Sequence, residues 1–176
     1  LRQYNGGGRY TRVRSAASLI KEIKYLRHHF HIDSFYFIDD LFTINQNNVS
    51  QFCQLLKKSK LNLLWGCSAK VSTLNESLIK LMSDAGCIQI DFGVERGSNQ
   101  ALLAVKKGIN LEMIKNIFNL CHQYHIRTFA NFLVNLPNET KQDLTDIINL
   151  ATDLKSEINS FNVFSPYPGT EIYDQM

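Results

Sequence analysis

Short runs of aromatic and β-branched residues alternate along this chain with longer amphipathic stretches, and that alternation limits the fold to a parallel α/β sheet. Residues 32–38 form one such run, ending in Asp39-Asp40. The runs at 61–66, 88–92, 127–134 and 160–164 read as further strands, and helical spacing of apolar residues is written at 15–30, 48–58, 75–85, 100–105, 111–124 and 140–154. Local punctuation agrees: Ser15 or Ser18 caps the first helix, Asn75 starts and Gly86 stops the third, Thr140-Lys141-Gln142-Asp143 opens the last in the manner of a capping box, and Pro166 and Pro168 break the final strand. Right-handed crossovers turn such a rhythm into a parallel sheet, either open and doubly wound or curled into a barrel. Both arrangements put ligands at the carboxyl ends of the strands, so the residues there carry the functional information.

Composition narrows the class. The chain has 176 residues, enough for one domain, but a complete eight-unit barrel takes roughly 250, so a smaller or partial barrel fits better. No apolar run approaches the roughly 20 residues needed to cross a bilayer. The net charge of +3 is modest, and Lys57, Lys58, Lys60, Lys106 and Lys107 fall in short clusters, which argues against a nucleic-acid partner. Cys53, Cys67, Cys87 and Cys121 show no Cys-x-x-Cys spacing, so neither a zinc ribbon nor a redox pair is written, and buried free thiols are expected. Acceptor-like triplets at Asn48, Asn75 and Asn138 lack a secretory signal that would make them relevant.

The strand ends offer several chemical groups, each with a plainer reading beside it. Asp39 and Asp40 suit an ammonium, a ribose or a metal, and equally a helix cap or solvated turn. Phe92-Gly93-Val94-Glu95-Arg96-Gly97-Ser98 sets glycines on either side of an acid, letting backbone approach a ligand, but it lacks the spacing of a dinucleotide fingerprint. Pro166-Tyr167-Pro168-Gly169-Thr170 walls a pocket or simply reverses the chain. His122 and His125 lie one helical turn apart at a helix end remote from these loops, which disfavours a metal pair, and His28, His29 and His31 read as surface residues.

Taken in order, these segments resemble the radical S-adenosylmethionine superfamily, in particular the branch whose barrels often follow a cobalamin-binding domain. The segments that carry the resemblance are Tyr10-Thr11-Arg12-Val13-Arg14-Ser15, Phe37-Ile38-Asp39-Asp40-Leu41-Phe42-Thr43, Ala85-Gly86-Cys87 into Phe92-Gly93-Val94-Glu95, Lys107, Phe132 to Thr140, and the final Pro166 to Thr170. The resemblance implies a partial (β/α)6 TIM-like barrel of parallel strands, with residues 1–14 as an N-terminal connector and 15–176 supplying βα units 2 to 6. The Cys-x-x-x-Cys-x-x-Cys loop that holds the family's [4Fe-4S] cluster, and the first strand before it, would lie upstream of Gly6 to Arg14; none of the four cysteines present is assignable as a ligand.

For the cofactor, S-adenosylmethionine, the resemblance implies walls at Asp39 and Asp40 for the methionine ammonium, and at Ser68, Glu95, Lys107 and Asn131. Glu95 would meet ribose hydroxyls or the ammonium, and Lys107 the carboxylate. The bend at Leu136-Pro137 would bring backbone to adenine. Asn131 stands where an acid is common, and Asn135 where a glycine is usual before Leu136. The implied activity is reductive cleavage of the cofactor to a 5′-deoxyadenosyl radical, for hydrogen abstraction or methyl transfer, with the protein orienting the cofactor and excluding water. A cobalamin-dependent methyltransferase is the form expected where a cobalamin domain precedes. A small-molecule or lipid substrate, an electron donor such as a flavodoxin or ferredoxin, and a cytoplasmic location complete the expectation, and this chain alone would be inactive. The competing reading is a non-catalytic barrel serving as a binding or scaffolding module, motivated by the absent cysteine loop. A sugar-phosphate enzyme on an eight-unit barrel is a weaker third, since no glycine-rich phosphate loop occurs late in the chain.

Overall fold

The computed structural model describes residues 13–169 and 171–174. In chain order they form α1 (Ala16–Phe30), β1 (Ser34–Phe37), α2 (Gln46–Ser59), β2 (Leu64–Ala69), α3 (Glu76–Asp84), β3 (Cys87–Glu95), α4 (Asn99–Ala104), α5 (Leu111–Gln123), β4 (Arg127–Val134), α6 (Lys141–Leu154), β5 (Ile158–Val163) and α7 (Glu171–Asp174). Tyr10 to Arg12, Gly6 to Gly8 and Thr170, singled out in the sequence, lie outside the described residues.

All four strand pairings are parallel, and the order is β1-β2-β3-β4-β5. A doubly wound sheet reverses its order at a switch point. Here every strand lies beside its neighbour in sequence, which is the winding of a barrel wall.

The helices start where the caps were read. Ser15, not Ser18, caps α1 by accepting from the Ser18 amide, Asn75 accepts from Leu78 N–H, and Thr140 and Asp143 form a reciprocal capping box on α6. Its two hydrogen bonds from Thr140 hold the Asp143 carboxyl below the usual carboxylate value. Strand boundaries shift from the sequence expectation. Lys60 and Asn62 take left-handed backbone, so residues 61–63 do not join the strand, and β2 begins at Leu64 and runs through Ser68 to Ala69. β3 continues past Phe92 to Glu95, with a register irregularity between Gly93 and Glu95.

Alternation along the strands separates two environments. Phe37, Phe42, Phe52 and Trp65 pack edge to face or stacked between sheet and helices, and the buried Trp65 indole donates to the Ala85 carbonyl at 2.9 Å. Along β3, Ile90, Phe92 and Val94 are fully buried on this helix side, while Gln89, Asp91, Gly93 and Glu95 are half-buried on the opposite, inner face. Register places Gly66 beside Tyr36 and Gln89, Ser68 beside Asp91, and Gly93 beside Asn131. The apolar core therefore sits outside the sheet, and a polar row lines its concave side.

Candidate functional site

Five of the residues singled out as candidate walls come together. Asp40, Ser68, Glu95, Lys107 and Asn131 line one cavity of about 510 Å³ at the carboxyl ends of β1 to β4, a size within the usual range for small-molecule sites. Asp39 instead lines an adjoining cavity of about 290 Å³, which Asp40 shares and which Arg14, Phe42 and Asn48 help to close. Leu136 lines neither; it lies at the bend after β4, where its carbonyl accepts the Glu139 amide at 3.1 Å.

Within the larger cavity Lys107 Nζ donates to Glu95 Oε1 at 2.6 Å, with both side chains largely sheltered. A Cβ at residue 93 would lie 2.6 Å from Glu95 Oε1 and 2.9 Å from Lys107 Nζ, so Gly93 leaves the space that the pair uses. The result is a paired positive and negative charge on an open floor, suited to a ligand end that carries both an ammonium and a carboxylate. Ser68 Oγ lies 3.4 Å from the Tyr36 hydroxyl, and Asn131 Nδ2 donates to Phe92 O at 3.5 Å, so both keep polar capacity facing the space.

Lys70, Lys106 and Asp91 also line this cavity and were not singled out from sequence. Lys70 follows β2 on the inner face, and its Nζ lies near the Gly108 turn, 3.9 Å from where a Cβ of that residue would sit. Asp91 accepts from Gln89 Nε2 at 2.9 Å. Alternation along β3 carried the signal for Asp91, since it lies two and four residues before Gly93 and Glu95.

Behind the site, the sequence reading passed over a buried ionic link. Arg96, directly after Glu95, donates to the Leu133 carbonyl at 2.9 Å and to Glu139 Oε1, and its other terminal nitrogen lies 3.8 Å from Asp143. Glu139 Oε2 accepts the Asn135 amide at 2.7 Å. Glu95 and Asn135 both have left-handed φ, 72° and 65°, and the Arg96–Glu139 link ties together the two backbone segments that carry them. Asn adopts that region more readily than most residues. The bend before Leu136 therefore keeps the conformation that a glycine would supply.

The four cysteines are free and buried. Burial pushes the Cys53 thiol up to about 12 and raises those of Cys87 and Cys121 as well. They sit on α2, β2, β3 and α5 inside the apolar core, where burial disfavours the thiolates of Cys53, Cys87 and Cys121, and so do not fit the ligand set of an iron–sulfur cluster, which is held by thiolates. His122 Nε2 lies 3.4 Å from Thr128 Oγ1, and a shallow cavity holds both His122 and His125 at the amino end of β4, away from the site. Among the described residues no group of three or more His, Cys, Asp and Glu is placed to hold a metal ion. None of their helices is long and apolar enough to cross a membrane.

Residues 3–151 match the model of the Radical SAM superfamily. The chain is 28% identical over 167 residues to an uncharacterised methyltransferase of Pyrococcus horikoshii, covering 95% of this chain and 36% of that protein. It is also 28% identical over 167 residues to the anaerobic magnesium-protoporphyrin IX monomethyl ester cyclase of Rubrivivax gelatinosus, covering 94% of this chain and 30% of that one. The chain thus spans about a third of the length of these curated relatives. Among solved structures, the radical S-adenosylmethionine methyltransferase TsrM of Kitasatospora setae, determined with cobalamin and a [4Fe-4S] cluster bound, superposes with a TM-score of 0.77 at 19% identity, over 85% of this chain and 29% of that one. Coproporphyrinogen III oxidase of Escherichia coli superposes with a TM-score of 0.67 at 13% identity, over 89% of this chain and 39% of that one.

Proposed function

The chain belongs to the radical SAM superfamily, and we propose that it forms the S-adenosylmethionine-binding wall of a radical SAM enzyme whose larger cavity holds the cofactor. The observation that carries this reading is the Glu95–Lys107 pair on the floor left bare by Gly93. Lys107 would hold the methionine carboxylate, and Glu95 the ammonium or the ribose hydroxyls. Asp40, with Asp39 beside it, adds a second carboxylate toward the ammonium. Ser68 and Asn131 contribute neutral hydrogen bonds, and the bend at Leu136 would face adenine.

The cofactor, when bound in this superfamily, supplies a carbon–sulfur bond whose reductive cleavage yields a 5′-deoxyadenosyl radical for hydrogen abstraction, or a methyl group for transfer. This chain's residues bind, orient and shelter it. Superfamily membership implies a [4Fe-4S] cluster as well, but the four buried cysteines do not fit one, and no step is assigned to these residues through it. Nor do the described residues offer a histidine at the strand ends for cobalamin: His28, His29, His31, His122 and His125 all lie where helices lead into strands. A methyltransferase or another carbon-centre modifier, an electron donor of the flavodoxin or ferredoxin class and a cytoplasmic setting follow from this reading for the intact protein. Its substrate is a small molecule or a lipid.

Calorimetric titration of S-adenosylhomocysteine into the intact protein tests the assignment. Glu95→Gln should bind about tenfold more weakly than wild type, the effect of losing one charge-assisted contact. Equal affinity in the two proteins would remove Glu95 from the cofactor site. The scaffold reading expects no binding in either.

A further inference from the structure

Below the Glu95–Lys107 pair, the inner face of the sheet carries Asp91, Gln89 and Tyr36, which cofactor binding does not use, with Ser68 at the boundary between the two sets. Asp91 lies two residues deeper than Gly93 on the same face of β3, a step of about 7 Å, and lines the same cavity. Its carboxylate accepts from the Gln89 amide at 2.9 Å and faces the Tyr36 hydroxyl, which lies 3.4 Å from Ser68 Oγ. Among the described residues it has no cationic partner. Of the lysines that line the cavity with it, Lys107 is paired to Glu95, and Lys70 Nζ lies 3.9 Å from where a Gly108 Cβ would sit.

A half-buried carboxylate met by neutral donors and by no cation costs folding energy and suits a cation arriving from outside. The surroundings are shaped for such a visitor. Gly66, the strand neighbour of both Tyr36 and Gln89, has no side chain, and a Cβ there would lie 2.8 Å from the Tyr36 ring, so the ring lies flat across the floor. Burial and the facing Asp91 carboxylate raise the Tyr36 hydroxyl above its ordinary value, which keeps it a hydrogen-bond donor throughout the physiological range. Tyr36, Ser68 and Gln89 then offer hydrogen bonds around one negative charge. That lining does not match a hydrocarbon chain.

We propose that Asp91, framed by Gln89, Tyr36 and Ser68, is the substrate-recognition floor of this barrel, and that it takes a small polar molecule presenting an ammonium group. This rests on the cofactor occupying the space above it, and narrows the substrate from small molecule or lipid to an organic cation. Asp91 is a specificity residue that touches the substrate, whereas Gln89 positions its carboxylate.

The test uses the intact protein saturated with S-adenosylhomocysteine, which blocks the carboxylates assigned to the cofactor, and n-butylammonium as probe, with n-butanol and butyrate as neutral and anionic counterparts. Ligand-detected NMR titration should show n-butylammonium binding in preference to both. Asp91→Asn should weaken it about tenfold or more, the loss of one charge-assisted contact, with the affinity for S-adenosylhomocysteine unchanged. Asp91→Glu keeps the charge and should keep the preference for the cation, which guards against a folding defect in the amide variant. Butyrate or n-butanol binding as tightly as the cation, or undiminished binding in Asp91→Asn, overturns the proposal. Failure of S-adenosylhomocysteine to bind wild type would instead overturn the cofactor reading, and the same titration without it would still decide the role of Asp91.

Discussion

Arg96→Met should lower the unfolding free energy by about 3–5 kcal/mol, the usual cost of removing one partner from a buried ion pair. The Arg96 side chain is 4% exposed and that of Glu139 8%. Removing the guanidinium strands the Glu139 carboxylate in the interior and leaves the Leu133 carbonyl without its donor. Glu139 would still hold the Asn135 amide, now as an uncompensated charge. Urea denaturation with an unchanged slope gives the value directly. In Arg96→Met combined with Glu139→Gln the total should fall well short of the sum of the single changes, because the second removes the charge that the first exposes. A loss under about 1 kcal/mol for Arg96→Met would mean that the link is solvated like a surface pair.

Gly97→Ala should damage the same junction by a different route. A Cβ at residue 97 would overlap the backbone of Asp146 and Ile147 and lie 2.5 Å from the Asp146 carbonyl oxygen. Backbone in the middle of a helix cannot step aside as a side-chain tip can, so α6 must shift as a body. Overpacking of this kind costs about 1–3 kcal/mol and occasionally more, and the upper end is expected here. Because α6 also carries Asp143 and begins two residues after Glu139, the shift should pull on Arg96 and so on Glu95. Stability and S-adenosylhomocysteine affinity should therefore fall together, by thermal unfolding and calorimetry on the same preparation. Unchanged affinity in a destabilised Gly97→Ala would show that the junction supports the fold without setting the site.

The parts of this molecule that were legible in its sequence are those governed by local periodicity. Apolar spacing gave the helices and strands in their order, placing polar residues at strand ends found Asp40, Ser68, Glu95 and Asn131, and the family resemblance added Lys107; the fold gathers all five around one cavity. The choice between an open and a coiled sheet was not local. It is decided by strand order, which only the pairings reveal. Arg96 was passed over because its meaning depends on Glu139, a partner 43 residues away. An arginine wedged between an acid and a glycine after a buried strand was the available signal. Asp91 and Gln89 escaped notice for another reason: a short run such as Ile88 to Phe92 reads as buried on both faces until register shows that one face lines a cavity. Ser68 was found for its chemistry at the end of this strand, but the strand itself was expected at 61–66, and left-handed backbone at Lys60 and Asn62 moves its start to Leu64.

The central claim is that the Glu95–Lys107 cavity is where the cofactor binds. A crystal structure of the intact protein with S-adenosylmethionine tests it most directly. The methionine end should lie over Gly93, with the Glu95–Lys107 ion pair opened so that Lys107 meets the carboxylate and Glu95 the ammonium or the ribose. Cofactor bound elsewhere, or an ion pair left closed beneath it, would contradict the account.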